Sequence, residues 1–217
     1  MKESINTRVY NKIKEDIMHL ELKPKEGVSV QKLADVYGAS RTPIREAVLK
    51  LSQEGLVNVK PQAKTIIQPV SEERVKQENF IRKSLEISAV PDFLYNCSPY
   101  VLDTLHEMIR IMEHAIQKNK ISDFCETDRR FHKLIFDTAL NELAYEVIES
   151  SATHSQRLFF LRLKQHGIPE EVIENYKKMV SDARPGKEDV LRDIIDSHIE
   201  QYYSIGNLKE LYPDYFA

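Results

Sequence analysis

The chain has 217 residues, 41% of them hydrophobic and 30% charged, a balance that supplies a buried core and suits a soluble, largely helical protein. Two cysteines exclude a disulfide-built scaffold, and no apolar run approaches the roughly 20 residues of a membrane-spanning helix. The net charge of −3 hides a division: residues 1–70 carry 12 Lys and Arg against 8 Asp and Glu, while residues 71–217 carry 19 against 26. A basic N-terminal part suits a polyanion partner, and an acidic remainder repels one. No targeting segment is recognised at the N-terminus, so a cytoplasmic location is expected, with Cys97 and Cys125 reduced and structural.

In chain order, a first helix is predicted over about 7–20, with Val9, Ile13, Ile17 and Leu20 as its buried stripe. The run Leu22-Lys23-Pro24-Lys25-Glu26-Gly27 breaks it. Ser29 caps a second helix, with Leu33, Ala34 and Tyr37 facing inward, and Gly38 ends it. Ser40 caps a third helix, whose first turn tolerates Pro43. After Gly55, Leu56–Val59, a Pro61-centred turn and Thr65–Ile67 spell a short β-hairpin. Three helices and a hairpin make a winged helix-turn-helix over residues 1–70. Pro69-Val70-Ser71 forms the linker.

Residues 71–217 are predicted to be all-helical, with helices at about 72–90, 99–118, 122–140, 142–165, 169–183 and 187–204. Pro91 is expected to break the first. Six antiparallel helices give a bundle able to enclose a ligand. The fold class is therefore mainly α, a winged N-terminal domain followed by a helical effector-binding and dimerisation domain.

The third helix carries the chemistry. Arg41 and Arg45 are four residues apart and share a face, while Ile44, Ala47, Val48 and Leu51 fall on the opposite one. A guanidinium fork matches guanine O6 and N7, and Ser40, Thr42 and the helix N-terminus favour phosphate oxygens. The competing expectation is that Arg45 pairs with Glu46 or Glu54 and only solvates the helix.

Leu33-Ala34, Gly38, Ser40-Arg41-Thr42-Pro43-Ile44-Arg45-Glu46-Ala47, Leu51 and Glu54-Gly55-Leu56-Val57 resemble the N-terminal domain of the GntR superfamily of bacterial transcription regulators. Arg82-x-x-Leu85-Glu86, Asp128-x-x-Phe131-His132, Asn141, His154-x-x-Arg157 and His198 resemble the FCD ligand-binding domain of its FadR-type branch. The resemblance implies a homodimeric repressor or activator, with repression expected, that binds a palindromic operator in double-stranded DNA. A small molecule in the helical domain would alter the geometry of the two DNA-binding domains. Relatives usually carry Arg-Gly at the wing tip, where this chain has Ala63-Lys64, so Lys64 is expected to touch phosphate. Where some relatives use Arg on the second helix to touch DNA, Gln31 stands.

The resemblance also implies a metal. In many relatives an Asp, a nearby His and two later histidines hold a divalent ion that binds the effector's carboxylate. Here Asp128 and His132 lie i, i+4 on one helix, His198 follows late, and the third histidine's place is taken by Tyr176. Asp128, His132 and His198 remain a three-ligand set suited to Zn²⁺, Ni²⁺ or Mn²⁺, with no organic cofactor expected. The alternative is an Asp–His hydrogen bond inside a helical core. Arg82, Arg157, His154 and Tyr176 are the candidate effector contacts, although Glu86, one turn from Arg82, offers that guanidinium an internal partner. The expected effector is a small organic acid: a hydroxy acid, a sugar acid or a short dicarboxylate. Two competing functions remain at this stage. One is a metal-dependent enzyme using Asp128, His132 and His198 with bound water, and the other is a winged-helix protein-interaction adaptor. The arginine-bearing third helix argues against both and for a regulator that is not an enzyme.

Overall fold

The structure, a computed structural model, describes residues 4–59 and 64–217. The Pro61-centred turn and Ala63 lie outside those residues. The chain divides into two compact units, one joining Met1–Glu72 with Ile205–Ala217 and the other comprising Glu73–Ser204.

The first unit begins with α1 (Ile5–Met18), capped by Ser4, whose hydroxyl accepts from the Thr7 N–H at 3.1 Å. Ser29 does the same for α2 (Val30–Tyr37), accepting from the Lys32 N–H at 3.1 Å. Gly38 then turns the chain in the left-handed region, φ 60°, and α3 (Arg41–Gln53) follows. Ser40 occupies the capping position of α3 with extended backbone, yet its hydroxyl makes no capping bond. Val9, Ile13, Ile17, Leu33, Ile44, Val48 and Leu51 close one core with Leu56 and Ile67. The expected hairpin is present as β2 (Val57–Val59) and β3 (Thr65–Ile67), paired antiparallel with Val57 opposite Ile67. It is one strand wider than expected. Gly27–Val28, inside the segment taken as a helix break, forms β1 on the other edge of β3, giving the order β1-β3-β2. A Cβ at Gly27 would lie 3.1 Å from the Lys64 side chain, so the missing side chain lets the two backbones pair.

The second unit is helical: α4 (Glu72–Asn96), α5 (Pro99–Gln117), α6 (Ile121–Thr138), α7 (Glu142–Ser151), α8 (Thr153–His166), α9 (Glu170–Ser181) and α10 (Glu188–Tyr203). Two expectations are corrected here. Pro91 does not end α4, which continues to Asn96 because Ala89, Val90, Phe93 and Leu94 on either side of it are all buried in the core. The expected single helix over 142–165 is broken at Ala152 into α7 and α8. The break is stabilised from outside: the Glu78 carboxylate of α4 accepts from the backbone N–H groups of His154 and Ser155 at 2.9 and 2.7 Å, satisfying donors that a new helix start leaves free. Seven helices therefore stand where six were expected.

The boundary of the helical domain also moves. Residues 205–217, expected to belong to it, pack with the winged unit through α11 (Leu208–Leu211) and a 3₁₀ turn, Pro213–Tyr215. Val70 donates to the Tyr215 carbonyl at 2.8 Å and accepts from the Ala217 N–H at 3.0 Å, a parallel bridge that buries Phe216. No helix among the described residues is long and apolar enough to cross a membrane.

Candidate nucleic-acid interface and buried polar centre

On α3, Ile44, Ala47, Val48 and Leu51 face the core, so Ser40, Arg41, Thr42 and Arg45 are left on the solvent side. The carboxylates expected to compete for Arg45 are engaged elsewhere. Glu46 accepts from Asn6 Nδ2 at 2.6 Å, and Glu54 accepts from the Tyr10 hydroxyl and from Lys14 Nζ at 2.8 Å. Arg45 makes no hydrogen bond or ion pair with the described residues. Arg41 is held: its Nε donates to Gln31 Oε1 at 2.7 Å, and Gln31 Nε2 donates to Asp35 Oδ1 at 2.7 Å. The Gln31 amide of α2 thus orients Arg41 of α3 while both stay exposed. Lys64 stands apart, exposed at the start of β3 with its stem beside Gly27.

In the helical unit, α4, α6, α9 and α10 bring charged and aromatic side chains to one buried centre. Asp128, His132 and His198 each offer a ligand atom, and these atoms lie within 4.8 Å of one another. His132 Nε2 is 3.7 Å from Asp128 Oδ1, and His132 Nδ1 is 3.4 Å from Glu86 Oε1. Glu86 in turn accepts from Arg82 Nε at 2.6 Å. The Arg82 guanidinium lies 4.1 Å over the Tyr203 ring, whose hydroxyl donates to Asp128 Oδ2 at 3.3 Å. The Tyr176 hydroxyl donates to Asp128 Oδ1 and is 3.5 Å from His198 Nε2. His132 Nε2 and His198 Nδ1 are buried without a hydrogen-bond partner among the described residues.

Burial and charge set the ionisation of this centre. Burial pushes the Glu86 carboxyl up, but Arg82, His132 and His198 together outweigh it and leave Glu86 below the usual range. Burial opposes the charge on Arg82, which Glu86, Tyr203 and Asp128 nevertheless stabilise. His198 is driven well below its ordinary value by burial and then by His132 and Arg82, so its imidazole is neutral. Burial raises Tyr176 and Tyr203 far above the ordinary phenol value, keeping both protonated.

Arg157 and His154 belong to a second group, at the start of α8. Arg157 Nε donates to the Thr153 carbonyl at 2.9 Å, and its Nη2 donates to His154 Nδ1 at 3.2 Å. Burial lowers Arg157 to about 10, against the opposing charge of Glu78, and lowers His154 to about 3. The four candidate effector contacts are thus divided, with Arg82 and Tyr176 at the Asp128 centre and Arg157 and His154 around the Glu78 cap. Sequence reasoning missed Glu78 and Tyr203. Glu78 carried a signal, since it repeats the four-residue spacing of Arg82 and Glu86 on the same α4 face.

Residues 5–67 match the family described as bacterial regulatory proteins, gntR family, and residues 80–201 match the FCD domain. The chain belongs to the gntR family of bacterial regulators, in its FCD-domain branch. The HTH-type transcriptional repressor RspR of Escherichia coli K12 is 23% identical over 216 residues, covering 99% of this chain and 95% of RspR. The structure of E. coli McbR/YncC superposes with a TM-score of 0.79 at 25% identity, covering 99% of this chain and 100% of that one. A GntR regulator from Rhodococcus sp. RHA1 shares the fold at a TM-score of 0.74 and 15% identity, over 92% and 95% of the two chains. The gntR member described here is a DNA-binding transcriptional regulator and not an enzyme, which sets aside both the metal-dependent enzyme reading and the adaptor reading.

Proposed function

We propose that this regulator is a repressor that binds a palindromic operator as a homodimer and releases it when a small organic acid binds the helical unit. The observation that carries the DNA half is Arg45, exposed on α3 and free of internal partners among the described residues. One such helix reads one half-site, and a two-fold dimer presents two. Arg41, steadied by Gln31, adds a second guanidinium. Ser40 and Thr42 supply phosphate donors, with Lys64 a further backbone contact. RspR, named as a repressor and alignable over nearly the whole chain, supports the negative sign of regulation.

The effector half rests on the buried centre. Its residues fit a divalent ion such as Zn²⁺, Ni²⁺ or Mn²⁺: a carboxylate and two imidazoles converge, and His132 Nε2, the nitrogen beside Asp128, is buried without a hydrogen-bond partner among the described residues. Asp128, His132 and His198 would hold the ion, which would supply positive charge for an acid's carboxylate. Arg82 and Tyr176 would frame the acid beside it, while Arg157 and His154 secure the start of α8. A thermal-shift screen of hydroxy acids, sugar acids and short dicarboxylates, with and without Zn²⁺ or Ni²⁺, tests this. One class should raise Tm by roughly 5 °C at about 100 times its Kd and release DNA in a mobility shift. Stabilisation by none of the acids or metals would contradict the effector reading.

A further inference from the structure

Two of the three candidate ligands, Asp128 and His198, already face a protein atom. The Tyr176 hydroxyl reaches them from α9, donating to Asp128 Oδ1 and lying 3.5 Å from His198 Nε2. His132 Nε2 approaches the same Asp128 oxygen at 3.7 Å. Donors around a tetrahedral zinc, each ~2.0–2.1 Å from the ion, sit about 3.4 Å apart. The triad, its ligand atoms within 4.8 Å of one another, is therefore close to a coordinating arrangement, but a hydroxyl oxygen sits against two of its three members. The hydroxyl is also firmly placed: Tyr176 is fully buried, with Phe131 packed edge-on at 4.8 Å and the His198 ring at 5.2 Å.

The geometry points to Tyr176 as a built-in competitor of the metal, its hydroxyl holding Asp128 Oδ1 until an ion displaces it. This inference rests on the metal-binding reading above. A neutral phenol is a poor ligand, so its presence does not complete the donor set. It donates a charge-assisted hydrogen bond instead, and that bond must break before Asp128 Oδ1 turns to a cation. The result is a centre that is stable without metal and that binds metal weakly for its ligand set. Metal retention then depends on the extra oxygens an acid brings.

The test compares the full chain with its Tyr176→Phe variant, both stripped by chelator and titrated calorimetrically with Zn²⁺ and then Ni²⁺. The variant should bind either ion about tenfold or more tightly, the effect of one lost charge-assisted hydrogen bond. Tyr145→Phe, whose hydroxyl donates to the Arg129 carbonyl at 2.9 Å, should match the wild type. Equal affinities of the wild type and Tyr176→Phe would overturn the inference and leave the metal reading intact. Weaker binding by Tyr176→Phe would make Tyr176 a ligand and overturn it as well. Uptake of neither ion by either protein would overturn both readings. If Tyr176→Phe does not fold, the wild type decides: saturation with Zn²⁺ should shift its tyrosine absorbance as the phenol loses its acceptor, and an unchanged spectrum at saturation overturns the inference.

Discussion

His154 shows how burial turns a single side chain into a pH liability. It accepts from Arg157 through Nδ1, a role open only to the neutral ring. Burial and then the Arg157 guanidinium hold its pKa near 3, and His198 is depressed in the same direction. In the unfolded chain both titrate near about 6.5, so below that pH the unfolded state binds more protons. Their stabilising contribution is fully present above about 6.5 and is lost as pH falls toward the folded values. Glu78 has the opposite sign, since its raised pKa favours the folded state as pH drops into the carboxylate range. Chemical denaturation between pH 7 and 5 should show stability falling with pH, each histidine adding at most about 1.4 kcal/mol per pH unit. His154→Gln should flatten that slope, and identical slopes for the two proteins would contradict the assignment.

At the scale of elements, α1–α3 were legible because their signals are local: Ser29, Gly38 and the four-residue spacing of Arg41 and Arg45 lie within the segments they shape. What escaped depends on distant partners. The break at Ala152 is satisfied by a carboxylate 76 residues away, and Tyr203 joins the polar centre through Asp128, 75 residues away. The persistence of α4 past Pro91 likewise reflects packing that no local rule reports. The candidate metal residues were legible as types and spacings, and the structure brings Asp128, His132 and His198 together. The hydrogen bond of Tyr176 to Asp128 was not legible, because it depends on where α9 meets α6 and α10. The C-terminal segment gives an element-scale prediction. Phe216 is 1% exposed and lies where the chain end bridges to Val70. Phe216→Ala should destabilise the winged unit by about 3–5 kcal/mol, seen as an earlier urea transition for that unit. An unchanged midpoint would mean that the tail does not support it.

At the scale of the molecule, two units with different charge and different cores divide the work of a regulator. The winged unit places guanidinium groups on a solvent-facing helix, and the helical unit buries a polar centre. Phosphate contacts give affinity that falls with salt, whereas base contacts give discrimination, and Arg45 is the proposed discriminating contact. The direct measurement is the affinity of wild type and Arg45→Ala for a duplex selected by the wild type from a random pool, each compared with a scrambled duplex over a range of salt. Arg45→Ala, still folded, should lose about 1–3 kcal/mol of preference for the selected duplex while retaining salt-sensitive binding to both. An undiminished preference in the variant would contradict that role.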